Sequence, residues 1–370
     1  MKHLEIVDYA KKSSRDFSNF FPNAKCPCTF FNGIMPEYQQ STYLFLSLGN
    51  LNDLTSFLGT TASQLESLIN YPAYKEFKIK KKKSGKRKIS EPSEILKAVQ
   101  RTLNDFLQTY YYWIKPAEVN GFVIHLDKKL VNCNIVENAR VHVGKKHLLN
   151  LDIKDFFSSI STYQIYQLFL SEYFQFEDRL AQVLALLTTY ERQLPTGAPT
   201  SPVLSNFICL GLDRALKSFA DEHELVYSRY ADDLTFSSDR FIHSDVILDV
   251  MNILKKHAFE INPKKIRMKA SHSKQVVTGI TVNDKVNVDR KLLKKVRAML
   301  HDFSENGLKE ATSKHFKISV DEDSKYCSVF INRLNGYINF IGQVRGVSDP
   351  LYLRLKNKME GCFDESNNVV

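Results

Sequence analysis

Leu225-Val226-Tyr227-Ser228-Arg229-Tyr230-Ala231-Asp232-Asp233-Leu234-Thr235-Phe236-Ser237-Ser238 reads as two short strands around a tight turn. Aspartate tolerates turn geometry, so Asp232 and Asp233 are expected at the tip. Two adjacent carboxylates in a partly desolvated turn repel each other. A divalent cation removes that conflict, and magnesium takes hard oxygen ligands, typically a few carboxylates plus substrate phosphates. An aromatic-x-Asp-Asp string also arises by chance, so its weight depends on what accompanies it.

Upstream stands His147-Leu148-Leu149-Asn150-Leu151-Asp152-Ile153-Lys154-Asp155-Phe156-Phe157. Its apolar run predicts a buried strand that ends near Asp152, where the side chain meets solvent. A neighbouring strand would bring Asp152 beside Asp232. Asp155 is a poorer ligand; its backbone and that of Phe156 suit a triphosphate better. Between the two acidic stretches lies Leu194-Pro195-Thr196-Gly197-Ala198-Pro199-Thr200-Ser201-Pro202-Val203-Leu204-Ser205-Asn206. A glycine flanked by prolines gives a rigid loop with exposed N–H groups that opens into a helix. Such a loop suits a base pair or a phosphate, and equally an ordinary helix start.

Lys plus Arg number 51 against 41 Asp plus Glu, a net charge of +10. A basic surplus favours polyanions, because neutralised phosphates release counterions, but it is also compatible with a plain solvated surface. Apolar residues are 43% and charged residues 25%, enough for a real core and against global disorder. No apolar run approaches the length that crosses a bilayer, so no membrane partner is expected. The N-terminal stretch lacks the apolar core of a signal peptide. Six scattered cysteines fit reduced thiols in a cytoplasmic protein.

The remaining chain predicts a capped helix from Thr61 or Ser63, a basic strand–turn–strand over 77–92 with Ser84-Gly85 at the turn, and an amphipathic helix over 93–112. Helices are also expected over 162–188, 203–222, 244–257 and 326–344, the last being the final clear element. Gln275 to Asn283 reads as one strand, and 289–303 as a basic helix. Strands and helices mix without regular βαβ alternation, which predicts an α+β sheet domain with helical attachments.

Five motifs in order, LDIKDFF, LPTGAPTSPVLSN, YADDLTFSS, FEINPKKI and VVTGI, resemble the palm of prokaryotic reverse transcriptases. Asn138-Ala139-Arg140-Val141-His142 and Val277-Thr278-Gly279 resemble elements of the retron group within that family. The resemblance implies a right-hand polymerase: fingers, a palm of antiparallel sheet plus helices, and a helical thumb. Residues 1–70 read as a mostly helical N-terminal extension, and the resemblance implies fingers and palm over 71–285, an RNA-binding thumb over 286–350 and a tail over 351–370.

The resemblance also implies roles. Asp152, Asp232 and Asp233 are the catalytic carboxylates, and with Ile153 they make up the set for two magnesium ions. Phe157 lies under the sugar of the incoming dNTP and leaves no room for a 2′-OH. Arg87 clamps the triphosphate, helped by one of Lys80 to Lys83, since a guanidinium matches phosphate oxygens bidentately. Lys265 protonates departing pyrophosphate. Asp155, Phe156, Thr196 and Gly197 complete the nucleotide site. Thr196 departs from the family's usual glutamine, so contacts there are weaker or water-mediated. Asn138 and His142 are either RNA contacts or local hydrogen-bonding residues. The helix bearing Arg290, Lys291, Lys294, Lys295 and Arg297 tracks a hybrid duplex, although any basic helix can simply be solvated.

For a retron enzyme the implied partners are a cognate structured non-coding RNA, its DNA product and a separately encoded effector protein. The RNA serves as template and, through a guanosine 2′-OH, as primer, which gives branched RNA–DNA within an anti-phage system. Oligomeric state is not readable. Two other readings stay open: a different defence-associated or intron-type reverse transcriptase, and a non-catalytic RNA-binding scaffold. A scaffold has no use for a repulsive carboxylate cluster, and no maturase tail supports the intron type.

Overall fold

A computed structural model describes residues 37–80, 85–126, 132–319 and 325–367. Most of the expected N-terminal extension, the Ser84 turn position and Lys81 to Lys83 lie outside these residues. The chain divides into two compact units, one of 1–134, 150–236 and 242–267, the other of 135–149, 237–241 and 268–370.

The first unit opens with helices α1 (Glu37–Leu46), α2 (Leu51–Leu58) and α3 (Ala62–Asn70). Thr61 caps α3 with a full capping box, its side chain accepting from the Gln64 amide, which satisfies an otherwise orphaned helix-start donor. Strands β1 (Tyr74–Lys80) and β2 (Lys86–Pro92) pair antiparallel with Ile79 opposite Arg87. The long helix α4 (Glu94–Ile114) follows. Its buried face includes Leu96, Leu103, Leu107, Tyr110 and Tyr111.

The helical period expected over 162–188 is broken into two helices. Between them Phe174 and Phe176 are both buried, 0% and 4% exposed, and Gln175 between them adopts φ 51°. Residues two apart cannot share one helix face, so the chain leaves the helix to sink both rings beside Phe45 and Phe169. Each such aromatic pair adds about 0.5–1.5 kcal/mol beyond its area.

In chain order α5 (Ile135–Arg140), β3 (His147–Asp152), α6 (Thr162–Leu170), α7 (Asp178–Thr188), α8 (Ser201–Ile208), α9 (Leu210–Glu222), β4 (Val226–Tyr230), β5 (Asp233–Ser238), α10 (Ser244–Lys256) and β6 (Arg267–Ala270) follow. The helix expected over 203–222 is thus two, meeting at Cys209. The sheet order is β4-β5-β3-β6. β4 and β5 form the expected hairpin, and the chain passes between its two units within β3, β5 and β6.

In the second unit Gln275 to Asn283 is a hairpin rather than one strand. β7 (Val276–Val277) pairs antiparallel with β8 (Ile280–Thr281). Thr278 and Gly279 both take positive φ, 48° and 88°, the signature of a type I′ turn. The basic helix also runs past its expected end. α11 spans Arg290–Phe316 across a break at Gly307, φ 75° and ψ 171°. The break lets Lys314 and His315 reach back to Asp302 at 2.7 and 2.8 Å. α12 (Lys325–Arg345) and α13 (Pro350–Asn367) complete the unit, so residues beyond 350, with no element foreseen, carry a further helix. Its core joins Val136, Leu148, Val277, Ile280, Met299, Phe330 and Ile341.

Candidate active site

Two strand ends bring the acidic residues together. The Ile153 amide donates to the Asp232 carbonyl at 2.9 Å, and the Asn262 amide donates to the Asp152 carbonyl at 2.8 Å. Asp152 thus sits where β3, the hairpin turn and the segment at Ile261–Asn262 meet. The turn itself is Ala231-Asp232. Ala231 has φ 58°, a left-handed value that a two-residue hairpin turn of the primed kind requires.

Burial raises the Asp232 carboxyl, and the Asp152 charge raises it further. Asp233 is pushed up to about 6, by desolvation first and then by Asp232 and Asp152, with Lys265 and Arg267 pulling the other way. Desolvation and mutual repulsion both disfavour the charged form of carboxylates gathered in one place. One cation is already present: Lys265 Nζ donates to Asp152 Oδ2 at 2.5 Å. Among the described residues no group of three carboxylate, imidazole or thiolate side chains is arranged to hold a metal ion. The triad does not stand as a ready-made cage; Asp152 is turned to the lysine. The donor set still fits magnesium: all its side-chain donors are hard oxygens, and their charges repel until neutralised.

A cleft of about 400 Å³ opens beside these residues. Arg87, Asp152, Ile153, Asp155, Phe156, Phe157, Thr196, Asp232 and Lys265 line it. Arg87 arrives on β2. That strand is joined to the wall formed by Leu194, Pro195 and Thr196 through the Ser90 amide, which donates to the Thr196 carbonyl at 2.8 Å. Gly197 is required there: with φ +132°, an added Cβ would lie 2.8 Å from the Ser90 carbonyl oxygen. Phe156 is core, 6% exposed. Phe157 is half-buried and stacks on Phe122, ring centroids 5.8 Å apart at 27°. Asp155 takes φ 48°, and its carbonyl accepts from the Ser158 hydroxyl and the Ser159 amide. Among the described nucleotide-site residues, Lys80 and Gly197 do not line the cleft, nor does Asp233.

Asn138 and His142 are each 0% exposed. Of the two roles open to them, surface RNA contact does not fit this burial. His142 Nδ1 lies 2.7 Å from the Ser237 hydroxyl, a local hydrogen bond, and burial lowers its pKa to about 3. Among the described residues, neither side-chain amide atom of Asn138 has a hydrogen-bond partner. In contrast Arg290, Lys291, Lys294, Lys295 and Arg297 are exposed on α11, while Val296, Met299 and Leu300 face the core. They belong to the second unit, whereas the cleft residues belong to the first.

Sequence reasoning missed Phe122, Tyr190 and Gln193, which also line the cleft. It also missed Arg229, 0% exposed in the strand before the turn. A charged residue inside an otherwise strand-like stretch was the available signal, but its partners are remote in sequence.

Comparison with known proteins agrees with this geometry. Residues 79–319 match the family model described as Reverse transcriptase (RNA-dependent DNA polymerase). The retron Ec86 reverse transcriptase of Escherichia coli is 32% identical over 265 residues, covering 69% of this chain and 78% of that protein. The retron Mx65 reverse transcriptase of Myxococcus xanthus is 31% identical, over 65% of this chain and 58% of that protein. The retron Ec83 reverse transcriptase of Escherichia coli is 27% identical, over 70% and 85%. No described helix is long and apolar enough to cross a membrane. With the α+β polymerase fold, the acidic strand ends and these relatives together, the chain belongs to the bacterial retron reverse transcriptases and is an RNA-directed DNA polymerase.

Proposed function

We propose that this enzyme copies a cognate structured non-coding RNA into DNA, starting from a 2′-OH of that same RNA. The product is branched RNA–DNA, and the working context is an anti-phage system with a separately encoded effector. The observation that carries the polymerase half is the junction of Asp152 and Asp232, tied through the Ile153 amide at 2.9 Å. Residues 71–285 serve as fingers and palm, 286–350 as the RNA-binding thumb.

Asp152, Asp232 and Asp233, with the Ile153 backbone, would hold two magnesium ions. When bound, these supply Lewis-acid activation of the attacking hydroxyl and stabilisation of the leaving oxygens. The chain's own residues do the rest. Arg87 binds and orients the triphosphate. Phe157, stiffened by Phe122, excludes a ribose 2′-OH. The hydroxyl gives up its proton to solvent, its oxygen bonds to the α-phosphorus as the bond to pyrophosphate breaks, and Lys265 gives a proton to the departing pyrophosphate. Its contact with Asp152 already puts that ammonium in the cleft. Arg290, Lys291, Lys294, Lys295 and Arg297 meet backbone phosphates of the RNA.

Sequencing the nucleic acid that copurifies with the protein tests the reading. A single structured RNA joined at an internal 2′-oxygen to DNA is expected, with the joint sensitive to debranching enzyme. DNA with only ordinary 3′–5′ links would point to another kind of defence-associated reverse transcriptase. Tightly held RNA with no DNA, and no synthesis on added dNTPs, would leave a scaffold.

A further inference from the structure

Arg229 and Asp213 are both fully buried, 0% exposed. Burying a guanidinium is costly unless its donors find acceptors. Here they do. Nε and Nη2 donate to the two Asp213 carboxylate oxygens at 2.7 and 2.6 Å. Nη1 donates to Asn206 Oδ1 at 3.0 Å and to the Ala231 carbonyl at 3.2 Å. Tyr227 donates its hydroxyl to the same Asp213 at 2.9 Å. Such pairs contribute little net stability compared with apolar packing, so fixing one geometry is their best-attested use.

Two parts of the cleft hang on this network. The first is the turn. Ala231 is a non-glycine residue at φ 58°, and its carbonyl is held by Arg229, two residues before it. That carbonyl leads directly into Asp232. The second part is the wall under the sugar. The Asn206 amide nitrogen donates to the Gly121 carbonyl at 2.9 Å and to the Phe122 carbonyl at 3.4 Å. Phe122, at φ 58°, is the ring stacked on Phe157. Gly121 lies so close to the turn that an added Cβ would stand 2.3 Å from the Ala231 nitrogen. One side chain, Asn206, therefore faces both parts: its oxygen toward Arg229 and the carboxylate turn, its nitrogen toward Phe122 and the gate.

We infer that Arg229 and Asn206 are positioning residues that lock the carboxylate turn and the sugar-selecting wall into one register. Arg229 aims the turn; Asn206 joins the turn to the wall. The inference rests on the roles given above to Asp232 and Phe157.

The two arms separate experimentally. Arg229→Lys keeps a cation for Asp213 but loses the fork that reaches Asn206 and Ala231. Mn²⁺ titration of the full-length protein, followed by electron paramagnetic resonance, should show affinity weakened about 10-fold or more, one lost hydrogen-bonded contact's worth. Asn206→Asp keeps the acceptor for Arg229 but loses the donor to Gly121 and Phe122. It should lower selectivity for dNTP over NTP about 10-fold and leave the Mn²⁺ affinity near wild type. Asn206→Ala removes both contacts without placing a charge, and should shift both readouts. It carries the test if either other variant fails to fold. Variants that fold, judged by thermal melting, yet leave Mn²⁺ affinity and sugar selectivity unchanged would overturn the inference, whatever their overall rate. Asp232→Asn is assayed alongside. Should that variant stay active, the underlying assignment fails; should it be inactive while the network variants match wild type, only the positioning role fails.

Discussion

The Ile153 amide donates to the Asp232 carbonyl oxygen across 2.9 Å. This single backbone bond puts the end of β3 against the turn between β4 and β5. Side chains on adjoining strand ends are direct neighbours, so Asp152 and Asp232 share one edge of the sheet. Burial first, and the neighbouring carboxylates second, raise the carboxyls of Asp232 and Asp233. Lys265, on Asp152, offsets part of that charge.

Gly197→Ala should damage nucleotide binding more than folding. The added methyl would meet the Ser90 carbonyl at 2.8 Å and Ile89 Cγ2 at 3.0 Å, at a φ of +132°. Backbone strain of this kind costs about 1–3 kcal/mol. The loop can relieve it by parting from β2, which breaks the Ser90–Thr196 bond. Steady-state kinetics should show KM for dNTP rising about 10-fold. An unchanged KM would mean the two walls need not stay joined.

Phe157→Ala should admit ribonucleotides. An apolar wall rejects an added hydroxyl by about 10²-fold, so selectivity should fall by on the order of that factor. Comparing kcat/KM for dNTP and the matching NTP reads it directly. Unaltered discrimination would remove Phe157 from the gate.

The route from sequence to this site was uneven. The strand ending at Asp152 and the Tyr230–Asp233 turn were legible because an apolar run and turn-compatible residues are local signals. Arg87, Thr196 and Lys265 were found through motifs, and they do line one cleft. The burial of His142 and Asn138 was not legible, since a polar pair in a basic neighbourhood looks like surface until the core around it is known. The Arg229–Asp213–Asn206 network was equally hidden, being a purely tertiary arrangement. Helical period also misled between 170 and 178, where burying Phe174 and Phe176 outweighed helix continuity. Thr278-Gly279 went unread as a turn because a valine–isoleucine-rich stretch surrounds it.

His142 should make stability pH-dependent. Folding lowers its pKa from 6.5 to about 3, through burial first and Lys145 second. Below pH 6.5 the unfolded chain gains a proton that the fold refuses. Stability is therefore full above 6.5 and is lost as pH falls toward 3. By pH 5 the loss from this group is about 2 kcal/mol. Urea unfolding at pH 7.5 and 5 should show it, and His142→Gln should flatten the slope by that amount. Equal slopes in both proteins would place the histidine in contact with solvent.

The central claim is that Asp152, Asp232 and Asp233 jointly carry the polymerase chemistry. Its most direct test is primer extension by Asp232→Asn on an RNA template, with RNA binding measured in parallel. Loss of DNA synthesis by about 10³-fold or more, several kcal/mol at the transition state, with RNA affinity nearly unchanged, is the predicted result. Wild-type extension by this variant would contradict the account.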